Sequence, residues 1–190
     1  MGTPQSPLVQ RHRLTVEEYH RMAKHGVLAP GARVELIEGE IFDMAPIGTR
    51  HAATVKRLNA LLSKAVGQRA IVSVQDPLRL DGHSEPQPDI ALLKPRADYY
   101  SRSAPVAGDA LLVIEVADTT SGYDRQIKVP LYASHGVLEV WVVDLESSFV
   151  RFYRHAADGQ YTDVTATDTP GLTPVARLPG LSIDLTGILA

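Results

Sequence analysis

Apolar positions recur along this chain with two periods, and the switches between them mark out its elements. "LTVEEYHRMAKHG", Leu14 to Gly26, reads as a short helix. Thr15 and Glu18 fit a capping box, Leu14 and Tyr19 a hydrophobic staple, and Gly26 is the stop. "RVELIEGEIFDM" has the pattern of a β-hairpin turning at Glu38-Gly39. In "GTRHAATVKRLNALLSKAVG" the helical period returns, with Val55, Leu58, Leu62 and Ala65 as the inward stripe and Gly67 as the end. Three strands follow, Ala70 to Gln75, Pro88 to Leu93 and Ala110 to Ala117. The last, "ALLVIEVA", is almost wholly apolar, as a strand covered on both faces should be. A helix from about Gly122 to Ser134 comes next, with Ser121 as N-cap, and Pro130 inside it should kink or shorten it. "LEVWVVDL" is a further strand, pairing onward to "FVRFYRH" across an "ESS" turn. Beyond Asp158 the pattern weakens. "YTDVTAT" reads as one more strand and "LPGLSIDLTGILA" as a closing segment. The order predicts an α/β (α+β) fold, a central mixed sheet flanked by helices and preceded by an N-terminal helix and hairpin.

Length and composition narrow the classes. A chain of 190 residues suits a single domain over 1–190, with 1–10 as a flexible tail. With 44% hydrophobic and 22% charged residues, the composition is that of a globular protein and excludes a disordered one. There is no cysteine, which excludes disulfides, thiolate metal sites and a cysteine nucleophile; a cytoplasmic location is the expectation. No apolar run approaches the roughly 18 residues of a spanning helix, and "MGTPQSPLVQRHR" lacks the apolar core of a signal peptide, so no membrane partner is expected. A net charge of −3 speaks against coating nucleic acid by bulk charge, though not against a local patch or a metal-bridged phosphate. Arg50, Lys56, Arg57 and Lys64 make the second helix basic, either as a solvated face or as phosphate contacts. P-loop, nucleophile-elbow and dinucleotide-binding glycine patterns are absent from the sequence.

Two carboxylates stand out. Strand side chains alternate faces, so Asp89, Ala91 and Leu93 share one face, and Leu111, Val113, Glu115 and Ala117 share another. Antiparallel pairing of these strands would set Asp89 beside Glu115. Two acids at one place repel and lose hydration, and a divalent cation relieves both costs. Oxygen ligands at a half-open site suit Mg²⁺, which keeps waters and takes one or two acids plus a substrate phosphate. The plain alternative is a strand-end acid facing water, or the partner of an arginine. A lysine two residues after Glu115 would lie on its face, but Ala117 stands there. Lys128 on the following helix can reach the space above Glu115 if that helix folds back. Equally, Asp124 and Lys128 are spaced i, i+4, which fits a surface ion pair.

Together, "RVELIEGEIFDMAPIGTRHAATVKRL", "VQDPLRLDGHSEPQPDIALLKPRADYY" and "LLVIEVADTTSGYDRQIKVPLYASHGVLEVWVVDLE" resemble the Uma-two family of restriction-endonuclease-like proteins, within the PD-(D/E)XK nuclease superfamily. The resemblance runs from about Leu14 to the C-terminus. It implies a restriction-endonuclease-like fold and Mg²⁺- or Mn²⁺-dependent hydrolysis of DNA. The motif aspartate falls on Asp89 and the motif glutamate on Glu115, the two implied metal ligands. The motif lysine is replaced by Ala117, and the superfamily's habit of supplying it from the next helix points to Lys128. The resemblance also draws in Glu35, on a hairpin strand, as a third carboxylate or an exposed strand acid. His51, opening the second helix, would meet a scissile phosphate or cap the helix. Gln75, ending its strand, lines the cleft or is incidental. The expected function is a metal-dependent DNA endonuclease; the alternative is an inactive nuclease-fold module that binds nucleic acid or protein. Duplex cleavage needs two active sites or two events, and a homodimer would supply the former.

Overall fold

A computed structural model of the chain describes residues 10–118 and 121–190, apart from the side chain of Ser121. Residues 1–9 of the expected tail and the expected Ser121 cap therefore lie outside the described residues. Helix α1 (Val16–Lys24) begins as its capping box requires: the Glu18 N–H donates to Thr15 Oγ1 at 3.2 Å, and the Thr15 N–H donates to Glu18 Oε2 at 2.9 Å. Strands β1 (Val34–Ile37) and β2 (Glu40–Asp43) pair antiparallel around Glu38-Gly39. Both turn residues have left-handed φ, 49° and 79°, as a two-residue hairpin demands. A Cβ on Gly39 would sit 2.6 Å from the Arg13 Cβ, because the segment leading into α1 crosses the turn.

The central sheet has six strands: β3 (Ile71–Val74), β4 (Ile90–Leu93), β5 (Ala110–Ala117), β6 (Glu139–Asp144), β7 (Phe149–Ala157) and β8 (Gln160–Thr167). They lie in sequence order. Only β5 and β6 are parallel, so only that connection has to cross over a sheet face. It does so through a continuous helix made of α3 (Ser121–Tyr123), a wide π turn (Asp124–Lys128) and α4 (Val129–Ser134). On the other face lies α2 (Thr49–Val66), joined by the closing hairpin of β9 (Leu172–Pro174) and β10 (Ser182–Asp184). Strand β5 is thus covered on both sides, and all eight of its residues are buried.

The inward stripe of α2 includes Ala65, partly buried against the core, and extends to Val66, which is buried. One expectation needs correction and another takes a definite form. A register shift pairs Leu92 with Leu112 but Leu93 with Ala110, leaving Leu111 as the extra residue of a bulge. Leu111 accordingly packs in the α2-side core, while Val113 and Ala117 pack with Val129 and Tyr132. The expected disturbance at Pro130 takes the form of the π turn. The Val129 N–H reaches back five residues to the Asp124 carbonyl. A proline next in line has no N–H to place and clashes with the carbonyl four residues back in a regular helix, a conflict that wider winding relieves. Past Asp158, β8 completes a long hairpin with β7, turning on Asp158-Gly159, both at positive φ. Among the described residues, no helix is long and apolar enough to cross a membrane.

Candidate active site

The antiparallel pairing of β4 and β5 sets Ile90 opposite Ile114. Asp89, one residue before β4, therefore falls beside Glu115, and each acid is held by the backbone of the other's strand. The Val116 N–H donates to Asp89 Oδ2 at 2.9 Å, and the Asp89 N–H donates to Glu115 Oε2 at 3.3 Å. His51, in the first turn of α2, brings Nε2 to 3.0 Å from Asp89 Oδ2, and the Gln75 amide donates to Oδ1 at 3.1 Å. Lys128 closes the site from the crossover helix. Its ammonium is 2.8 Å from Glu115 Oε1 and 3.5 Å from Glu35 Oε2, and it donates to the Gln87 carbonyl at 3.4 Å. One α-helical turn further on, the Tyr132 hydroxyl donates to the same Glu115 Oε1 at 2.7 Å. Glu35 accepts from the Tyr123 hydroxyl at 2.9 Å and from the Gln87 N–H at 3.0 Å.

Glu35, Glu115 and Lys128 are 1%, 2% and 3% exposed, so their charges interact with little screening by water. Burial drives the Glu115 carboxyl up to about 8; Lys128 opposes this, and the charges of Asp124 and Asp89 reinforce it. Burial would lower Lys128, but Glu115, Glu35 and Asp124 outweigh it and hold the amine above its ordinary value, so it stays protonated. Burial also pushes Asp89 upward, yet the bond and charge of His51, the Val116 N–H and Lys128 win, and Asp89 ends below the usual carboxylate value. His51 is raised, chiefly by that bond to Asp89 and against its own desolvation. Two adjacent acids are thereby driven apart, one ionised and one retaining a proton near neutrality.

These groups lie in a cleft of about 540 Å³ whose lining includes Asp89, Glu115, Lys128, Glu35 and His51. All five side chains named from the sequence thus meet in one place. The family model Uma2, described as "Putative restriction endonuclease", matches residues 16–186. The chain belongs to the Uma2 family. A crystal structure described as "a putative nuclease belonging to DUF820", from Anabaena variabilis, superimposes with a TM-score of 0.70. The two share 18% identity, over 93% of this chain and 97% of that one, a likeness of fold. No curated protein matches the chain.

Within this Uma2 chain, several side chains differ from their plain alternatives. Glu35 is not an exposed strand acid, because all four residues of β1 are buried. Asp124 and Lys128 are not a surface pair, since both are buried and the π turn places Lys128 against Glu115. His51 does not cap α2; Gly48 is the N-cap residue, with no side-chain bond, and the imidazole binds Asp89 instead. Arg50 and Arg57 direct their guanidinium groups to carbonyls of the last four residues, leaving Lys56 and Lys64 as the exposed lysines of α2. The arginine-partner reading of a buried acid does hold elsewhere: Arg154 meets Glu139 at 2.8 Å, and Arg151 meets Asp144 at 2.9 Å. Tyr132, Tyr123 and Gln87 belong to the site without having been singled out. Only Tyr132 carried a signal, its i, i+4 spacing from Lys128. No cluster of three or more His, Asp or Glu with metal-holding geometry occurs among the described residues.

Proposed function

We propose that this Uma2 protein is a Mg²⁺- or Mn²⁺-dependent endonuclease that hydrolyses DNA phosphodiester bonds. The observation that carries the reading is the meeting of Asp89 and Glu115 in the lining of one cleft, with the Lys128 ammonium 2.8 Å from Glu115. The residues fit the metal: the donors are carboxylate oxygens, and Mg²⁺ takes one or two such acids while keeping its waters. Asp89 and Glu115 would hold it. When bound, the ion polarises a phosphoryl oxygen and lowers the pKa of a water. The side chains supply the rest. Lys128, held protonated, cannot act as a base; it acts as a fixed positive charge that orients the attacking water and offsets charge developing on phosphorus. His51 orients Asp89 and places a second positive charge beside the phosphate site when protonated. Glu35, 3.5 Å from the ammonium, is a second anchor for Lys128. The feature that favoured an inactive module, Ala117 in the motif position, loses weight because Lys128 brings an amine to the same carboxylate by another route.

Supercoiled plasmid incubated with the protein and Mg²⁺ or Mn²⁺ should be nicked and linearised. Asp89→Ala and Glu115→Ala should abolish this. Equal cleavage by wild type and both variants would remove the assignment.

A further inference from the structure

We infer that the cleft takes an unpaired DNA strand in preference to an intact duplex, with a base stacked on its aromatic side chains. The inference rests on the nuclease reading and deepens it. The cleft lining has an apolar part: Phe42 and Tyr123, with ring centroids 5.6 Å apart at 44°, together with Met44, Pro46 and Ile47. Ile47 is 42% exposed. The charged part of the lining is mostly acidic. Asp43, Asp118 and Asp124 join Glu35, Asp89 and Glu115, against the two permanent cations Arg33 and Lys128. Lys128 is bound to two of those acids, and the Arg33 guanidinium donates to the Ala45 carbonyl at 2.7 Å.

A duplex presents one phosphate charge per roughly 1.7 Å of axis, twice the density of either strand, and duplex binders track it with rows of Lys and Arg. Among the described lining residues there is no such row. A single strand meets less repulsion here and offers what a duplex hides, the faces of its bases. Every base has such a face, and aromatic side chains bind it without regard to sequence. The cleft volume, about 540 Å³, is that of a site for a small molecule or single nucleotide rather than a duplex-wide groove.

The test uses the full-length protein with Mg²⁺ and a fluorescent oligonucleotide in three forms: single-stranded, fully paired, and paired except for a short central bubble. The single strand and the bubble should be cut about tenfold faster than the duplex or more, with bubble cuts confined to unpaired positions. Phe42→Leu keeps apolar bulk and removes the π face. It should slow single-strand cleavage by roughly 5- to 150-fold, the range that loss of one base–aromatic stack produces, and lower the single-strand to duplex ratio. Unfolding midpoints of the two proteins establish that the variant is folded. Duplex cleavage as fast as single-strand cleavage would overturn the inference and leave the nuclease reading standing. So would an unchanged ratio in a folded Phe42→Leu protein. No cleavage of any form, together with no Mn²⁺ binding, would overturn both.

Discussion

Replacing Lys128 by methionine keeps an unbranched side chain of similar length and deletes its charge. In the wild type that charge sits 2.8 Å from Glu115 and 3.5 Å from Glu35, with all three groups almost wholly buried. Without it, two carboxylates remain in the interior, with Asp124 near enough to raise the Glu115 carboxyl further. Removing one partner of a buried pair costs about 3–5 kcal/mol, against about 5–15 kcal/mol for the whole of a typical domain. Lys128→Met should therefore fold but lose a large share of its stability.

The loss has a pH dependence of defined sign. The Glu115 carboxyl lies above its ordinary value of 4.5, at about 8, so between those values the folded state holds a proton that the unfolded state has released. Its contribution to stability is complete below the ordinary carboxylate pKa and declines as pH rises through the folded one, by about 1.4 kcal/mol per pH unit. In the wild type the Glu115 contribution levels off above about 8. Deleting Lys128 removes the attraction that lowers Glu115, so in the variant the decline continues to higher pH. Urea unfolding at about pH 6 and about pH 9 should show the gap between the two proteins widening by about 1 kcal/mol or more at the alkaline end. Adding Glu115→Gln to the variant should close that extra gap. A gap independent of pH, or a total loss below about 1 kcal/mol as for a surface pair, would refute the buried-pair reasoning.

Two further outcomes are expected. Mn²⁺ must displace the proton on Glu115, so calorimetric affinity should rise up to about tenfold per pH unit towards about 8 and then level off, with proton release visible as a buffer-dependent enthalpy; affinity flat from about pH 6 to 8 would contradict the assignment of Glu115 as a ligand. Gly39→Ala places a Cβ 2.6 Å from the Arg13 Cβ at a φ of 79°, and should lower stability by about 1–3 kcal/mol in urea unfolding; an unchanged midpoint would show that the turn relaxes freely.

What could be read in the sequence was what depends on local period. The parity of "PDIALL" and "ALLVIEVA" put Asp89 and Glu115 together once the strands pair antiparallel, and the apolar run in β5 announced a strand covered on both faces. What could not be read depends on partners. The bulge that turns Leu111 away from Glu115 exists only in the register between β4 and β5. The burial of Glu35 follows from the packing of β1, whose Leu36 also bridges to Glu85, and nothing in "VELI" alone distinguishes that from an edge strand. Gln75 reaches Asp89 from just past the end of β3, at a positive φ of 55° that no propensity for glutamine foretells. The Asp158-Gly159 pair, by contrast, is a two-residue hairpin signal present in the chain, and it accounts for the long β7–β8 ribbon where the apolar pattern had faded.

The displaced lysine shows why a motif can move while its geometry stays. A lysine at position 117 would approach Glu115 along the strand, on the face that the crossover helix covers, and Ala117 lies in the same buried cluster as Val129 and Tyr132. The helix supplies the amine from above instead. Regular α winding offers Asp124 and Lys128 to each other along one face; the π turn breaks that spacing immediately before Pro130, and Lys128 and Tyr132, one α turn apart, both reach Glu115 Oε1. The proline that looked like a flaw in the helix thus marks where the winding changes. Its incompatibility with a regular preceding turn favours the wider winding up to Lys128, and the regular spacing that follows carries Tyr132 to the same carboxylate oxygen.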